Sequence, residues 1–414
     1  MNMRKSAWVL LMTGILVLFA GCAATSSHKK CSNGGGPEMF QNHDRHLRPV
    51  AELRGVWLRP PDNPDEILQM LDEIKNAGFN AIFLETLYHG FAIFPGSNFP
   101  LRPGYENRDV LQEFIAGAHQ RGIAVHCWTE VFYWQVDTLK HPKLPHSPIL
   151  DEKPQWLLLT RDGRKTDVAE DAHIFADPAN PEVQSFLLDF YRDLVTRYDV
   201  DGVNLDYIRY SAGDPDAGYT DIARQTFKKQ YGSDPITINP QTDPELWMSW
   251  VQWREDRITE FVAQISDMIR RENPRTVISA AIFPGYYSHR GDHSTYQNCA
   301  SWLDKNHVDV MIPMAYAASL DDIRNEISQV TSRNSGYAHV MPALAISVQQ
   351  ADAYSSTRSP VIAEQINMVR GMGLKGHSIF CYSWILQNEQ RFDNFKEIYS
   401  TSTWEILDSF PSGD

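Results

Sequence analysis

The stretch Tyr198-Asp-Val-Asp-Gly-Val-Asn-Leu-Asp-Tyr-Ile-Arg-Tyr210 decides the fold. Val203 and Leu205 alternate with Asn204 and Asp206, the period-2 pattern of a short strand. Just upstream, Phe186, Leu187, Phe190, Leu194 and Val195 recur at helical spacing. Helix followed by strand, repeated along a chain, is the grammar of a parallel α/β sheet. The strand runs out at Asp206, and Tyr207, Arg209 and Tyr210 follow at once. In a parallel barrel that end of a strand faces the active site, so a carboxylate there reads as catalytic. The plainer alternative is an Asp that caps the following turn.

Working outward, the same alternation recurs on both sides. Residues 53–58 form an expected first strand, and Asn63-Pro-Asp-Glu66 is a helix start with a capping side chain, a first-turn proline and two acids. A second strand spans residues 80–84 and ends in Glu85; a third spans 123–128 and ends in Thr129 and Glu130. Beyond Asp206, helices are expected over 221–231 and 244–272, the latter burying Trp250, Trp253, Ile258, Phe261, Ile265 and Ile269. Further strands fall at 277–283, 308–313, 339–346 and 377–382. Eight strands with intervening helices predict a (β/α)8 TIM barrel over residues 49–402, with residues 403–414 as a tail. The span from Val131 to Phe175, with prolines at 142, 145, 148 and 154, is a long loop on the catalytic face, and such loops are usually functional.

The chain has 414 residues, 43% of them hydrophobic, enough for one large core. Its net charge of −14 argues against a nucleic-acid partner, which demands clustered Lys and Arg. Arg4 and Lys5, then an apolar run from Ala7 to Ala20, read as a secretory signal over residues 1–22, too short for a comfortable membrane span. Phe19-Ala-Gly-Cys22 is similar to a bacterial lipobox, which makes Cys22 the candidate lipidation site. Residues 23–48 are rich in Ser, Lys, Gly and His and read as a flexible tether. The expected location is the bacterial cell envelope, lipid-anchored (at the outer membrane in a Gram-negative cell) or simply secreted. Cys127, Cys299 and Cys381 read as buried apolar side chains. No Gly-rich phosphate loop, Gly-x-Ser-x-Gly elbow or zinc spacing occurs, so no cofactor or metal is expected. Asp214 to Gly218 imitates the start of a calcium loop, but Gln225 stands where the bidentate acid belongs. Asp167, Glu170, Asp171 and His173 fit a solvated loop better than a metal site.

Glu85, Glu130 and Asp206 end three consecutive strands, about 4.8 Å apart, and converge over one patch. Cutting a glycosidic bond requires two carboxyl groups, one protonated and one ionised, and crowding like charges raises one pKa. The assignment is Asp206 as nucleophile or base, Glu130 as general acid, and Glu85 as a supporting acid able to exchange roles with it. Arg209 is the expected ion-pair partner of Asp206. Groups suited to a sugar surround them: Trp57, Arg59, His89, Trp128, Tyr133, Asn204, Tyr207, Tyr316, Tyr382 and Trp384.

These motifs together resemble the bacterial glycosyl hydrolase-like family 10, a group of TIM-barrel type. The matching pieces are Arg54-Gly-Val-Trp57, Asn80-Ala-Ile-Phe-Leu-Glu85, Phe94-Pro95, Ala118-His-Gln-Arg-Gly122, Val125-His-Cys-Trp128, Asp177-Pro178, Asn180-Pro-Glu-Val183, Trp253-Arg254, Asp309 to Tyr316 and, above all, the opening stretch. Some members are lipoproteins that cut peptidoglycan glycan strands, so the resemblance implies a polysaccharide or peptidoglycan glycan as partner, with membrane contact through the lipid anchor alone. It carries Asp206 over as the strongest catalytic carboxylate and leaves its acid partner open. Many members have a second acid where this chain has Tyr207, and Gln and Asn where it has Glu85 and Glu130. Two alternatives remain: a catalytically silent glycan-binding barrel, and a lyase or transglycosylase on the same polymer.

Overall fold

The computed structural model describes residues 52–165, 173–211, 217–284, 295–317, 319–332, 339–350, 353–356, 359–387 and 390–400. The signal-like segment with Cys22, the tether, the tail, the calcium-like stretch at 214–216 and Asp167, Glu170 and Asp171 lie outside them.

Eight parallel strands close into a barrel: β1 (Leu53–Leu58), β2 (Ala81–Tyr88), β3 (Ala124–Glu130), β4 (Gly202–Asp206), β5 (Val277–Ile282), β6 (Val310–Ala315), β7 (Ala343–Ala345) and β8 (Gly376–Phe380). Each pairs with the next, and β8 returns to β1. Helices α1 (Ile67–Asn76), α2 (Val110–Gln120), α3 (Pro181–Arg197), α4 (Pro244–Glu272), α5 (Ala300–Asp304), α6 (Leu320–Thr331), α7 (Ser359–Gly371) and α8 (Gln390–Ser400) follow the strands in turn. Asn180 caps α3 by accepting from Glu182 N, and the tryptophan and aliphatic stripe of α4 is buried as its spacing requires.

Strand alternation builds two cores. One face packs outward against the helices; the other fills the barrel with Leu53, Trp57, Phe83, Trp128, Ala281, Ile312 and Ala343. Several strand ends differ from the sequence expectation. Thr86 forms a bulge, so Glu85 pairs with Trp128 and Leu87 with Thr129, and β2 continues to Tyr88. β6 starts and ends two residues later than expected. β7 is cut to three residues because Pro342 has no N–H for the ladder, although Met341 N still reaches Met311 O. β8 stops at Phe380, where the Cys381 carbonyl accepts from Trp384 and Ile385 and begins a helical turn, Tyr382–Leu386.

The bottom of the barrel carries one device three times. A polar residue just before an even-numbered strand accepts a backbone N–H from the strand before it: Asn80 from Arg54, Asp201 from Val125, Asp309 from Ile278. Two of these acids also bind the outer layer, Asp201 through His119 of α2 and Asp309 through Arg270 of α4. The closing seam is clamped where Arg370 of α7 makes a two-pronged ion pair with Glu52, at 2.8 and 3.0 Å. Beside it His377 of β8, fully buried, bonds the Tyr399 hydroxyl of α8.

Gly202 opens β4 against its neighbours. A Cβ there lies 2.2 Å from His126 Nδ1 and 2.9 Å from the Val277 carbonyl. Gly202→Ala is therefore expected to cost about 1–3 kcal/mol of stability by overpacking, measured as a shift in the denaturant midpoint at unchanged m. A variant as stable as the parent contradicts this packing.

Candidate active site

The opening stretch and β3 lie in register: Glu130 is paired with Asp206, and Trp128 with Asn204. Alternation turns all four side chains into the barrel, with the two acids at its mouth and Trp128 and Asn204 one layer below. Asp206 is held from two sides. Trp128 Nε1 donates to Oδ2 at 2.9 Å, and the Tyr207 N–H donates to Oδ1 at 2.7 Å. Tyr207 itself adopts a left-handed backbone, φ 50°.

Glu130 is 1% exposed and accepts the His89 N–H on Oε2 at 2.7 Å. The chain turns there through two consecutive left-handed residues, His89 (φ 47°) and Gly90 (φ 74°). Any Cβ on Gly90 meets the Trp134 carbonyl at 2.4 Å, so the turn requires glycine. Burial lifts the Glu130 carboxyl well above the ordinary carboxylate range, and the Glu85 and Asp206 charges add to it against Arg59 and the His89 N–H. Glu85 is pushed up to about 7 by burial, with Arg59 opposing and Asp206 reinforcing. Its Oε2 accepts Arg59 Nε at 2.9 Å; its Oε1 is buried without a partner. Burial and the Arg59 charge drive His89 down to about 2, so its ring is neutral.

The structure sorts the expected sugar contacts by depth. Trp57, Trp128 and Asn204 are buried: Trp57 bonds Ser378 and stacks on Phe83, Trp128 stands edge-on to Trp57, and Asn204 bonds Ser279. They form the floor. His89 and Tyr133 pack at 4.9 Å, and Tyr133 lies 5.0 Å from Tyr207, making one wall. Tyr316 and Trp384 are half-buried on either side of Phe380, at 5.7 and 5.3 Å, making another. Arg59 alone of the expected set is exposed over half its side chain.

One expectation is corrected. Tyr382 does not face the mouth: because β8 ends two residues early, its hydroxyl instead donates to Glu73 of α1 at 2.6 Å. Arg209 bonds the Tyr210 carbonyl and lies 4.6 Å over the Tyr207 ring. Glu85 is fully buried, with Arg59 Nε as the partner of its Oε2. Sequence reasoning also passed over Tyr88 and Phe380, each the last residue of its strand, where bulge and strand end hid them.

The sequence profile of the glycosyl hydrolase-like 10 family matches residues 52–352. The chain belongs to that family. Glycosyl hydrolase DigH of Escherichia coli (strain K12) is 22% identical over 352 residues, 74% of either chain. Glycosyl hydrolase YngK of Bacillus subtilis (strain 168) is 22% identical over 303 residues, covering 64% of this chain and 54% of the relative. Among solved structures, the PgaB (BpsB) glycoside hydrolase domain from Bordetella bronchiseptica superposes with a TM-score of 0.67 at 15% identity, over 86% of this chain and all of that one. A β-galactosidase from the psychrophilic Marinomonas ef1 gives 0.65 at 12% identity, over 87% of this chain and 62% of that one. At such identities these structures share the fold, a TIM barrel, with this glycosyl hydrolase-like 10 member.

Proposed function

We propose that this chain is a glycoside hydrolase cutting a glycan polymer, with peptidoglycan glycan strands or another polysaccharide as substrate. The observation that carries the reading is the register pairing of Glu130 with Asp206 at the barrel mouth. Two acids side by side in different surroundings are what glycosidic cleavage asks for. Asp206 receives two N–H donors, which suits an ionised acceptor, and serves as nucleophile or as base toward water. Glu130 is buried among negative charge, which favours its protonated form over the opposing pull of its backbone donor, and gives its proton to the leaving oxygen. The aromatic walls supply ring faces for the sugar.

The test is incubation of the purified barrel with peptidoglycan glycans and a polysaccharide panel, followed by mass analysis. A new reducing end supports hydrolysis. An anhydro or unsaturated end replaces the reading with a transglycosylase or lyase, and binding without any product replaces it with a carbohydrate-binding barrel.

The apolar run ending at Cys22 supports export and lipid anchoring, with the tether giving reach from a membrane surface. Cys22→Ser is expected to move the protein from the membrane to the soluble fraction. A parent protein that is already soluble and carries no acyl mass leaves export alone.

A further inference from the structure

Glu85 is usually easy to count as a third catalytic acid, and its place in the barrel argues otherwise. It has no exposed surface, its one hydrogen-bond partner is Arg59 Nε, and its second oxygen is buried and unpartnered. Glu130 is nearly as closed, so burial alone does not separate the two; what sets Glu85 apart is that its carboxylate is bound to a side chain able to act for it at the surface. Arg59 is that intermediary. Its side chain is 52% exposed although its guanidinium is fixed on several sides. Glu85 holds Nε, the Tyr88 ring centre lies 5.3 Å from the guanidinium carbon, and the Trp128 ring centre 5.6 Å. Arg102 braces the same Tyr88 ring at 5.5 Å and is itself tied to Asp62 and the Pro60 carbonyl. Nε is taken, whereas Nη1 and Nη2 have no acceptor among the described residues. The guanidinium lies over the ring of Trp128, the residue that holds Asp206.

A long, flexible side chain held this firmly has already lost the rotamer freedom that binding otherwise removes. Its planar edge, with two parallel N–H groups, matches a pair of oxygens and matches a single one poorly.

We propose that Glu85 is a positioning residue, the buried counter-ion that aims Arg59, and that the Nη edge of Arg59 binds a paired-oxygen group on the glycan next to the bond being cut. A sugar carboxylate and a vicinal diol both present that chemistry. The proposal rests on the glycosidase reading and assigns a substrate contact within it.

The test uses the full barrel and whichever panel polymer the parent protein cleaves. Glu85→Gln and Arg59→Gln are each expected to raise KM by roughly tenfold with kcat at the pH optimum within about threefold, the signature of lost uniform binding. The double variant should match either single one, because all three lose the same contact. Arg59→Gln alone leaves Glu85 buried without its counter-ion and lowers stability; the double variant removes both charges and provides the folded control. A fall in kcat of about 100-fold in Glu85→Gln, at unchanged KM, overturns the proposal and makes Glu85 a catalytic acid. Amidating the polymer's carboxyl groups separates the two sources. Loss of the parent's KM advantage over Arg59→Gln on amidated polymer identifies a carboxylate, and a retained advantage identifies hydroxyls. Where nothing is cleaved the hydrolase reading falls, and the inference is read from co-sedimentation of parent and Arg59→Gln with the same polymers. Equal binding, or none by either, overturns it.

Discussion

Asp206→Asn is expected to lower turnover by a factor of roughly 10³ or more while substrate affinity stays within a few-fold, because the lost interaction is made mainly in the transition state. The substitution keeps size and shape and removes the charge that attacks or activates water. A smaller structural consequence follows from the hydrogen bonding. Trp128 Nε1 and the Tyr207 N–H each donate to a different oxygen of Asp206. An amide has one acceptor oxygen, so one donor then faces an NH2 group, at a cost of about 1–3 kcal/mol. The kinetic and stability effects are separable: Trp128→Phe removes one donor yet keeps the carboxylate, so it should share most of the stability loss and little of the rate loss. Equal turnover by the parent and Asp206→Asn on a verified substrate rules Asp206 out of the chemistry and returns it to the role of a turn cap.

For Glu130→Gln the loss should depend on the leaving group. With a natural sugar leaving group, which requires a proton, turnover should drop by a factor of roughly 10²–10⁴. With an aryl glycoside whose leaving group is already a good one, activity should largely return. The pH profile carries the sign. Glu130 sits well above the ordinary carboxylate range because of burial first and the Glu85 charge second, so its acid form persists toward neutrality. Rate then falls as pH rises through that raised pKa, giving an alkaline limb on natural substrates. Glu130→Gln assayed on the aryl glycoside should lack that limb. A limb that persists unchanged assigns the acid to another group.

The sequence made the barrel legible because strand and helix periods alternate cleanly along it, and because acids and aromatics punctuate the strand ends. Alternation gives the face of a residue and says little about its depth along the barrel axis. Trp57, Trp128 and Asn204 point inward as expected, yet they lie below the mouth, bonded to Ser378, Asp206 and Ser279. The same limit hid the closure of Glu85. Tyr382 was misplaced for a different reason: residues 377–382 carry a strand-like composition to their end, whereas the helical turn at Cys381 depends on backbone bonds invisible in side-chain pattern. The left-handed turns at His89 and Tyr207 are carried by non-glycine residues, so no composition signal marks the donors that hold Glu130 and Asp206.

The clamp between Glu52 and Arg370 has a mechanical meaning. The chain enters the barrel at its bottom, opposite the carboxylates, and passes directly into β1. Tension applied at residue 52 along the axis of β1 meets a strand bonded in parallel to β8 on one side and β2 on the other. Such a load is shear. It must break both ladders and the ion pair together, where a strand peeled from an edge gives way one bond at a time. Load on this strand is therefore shared between two ladders and a buried ion pair.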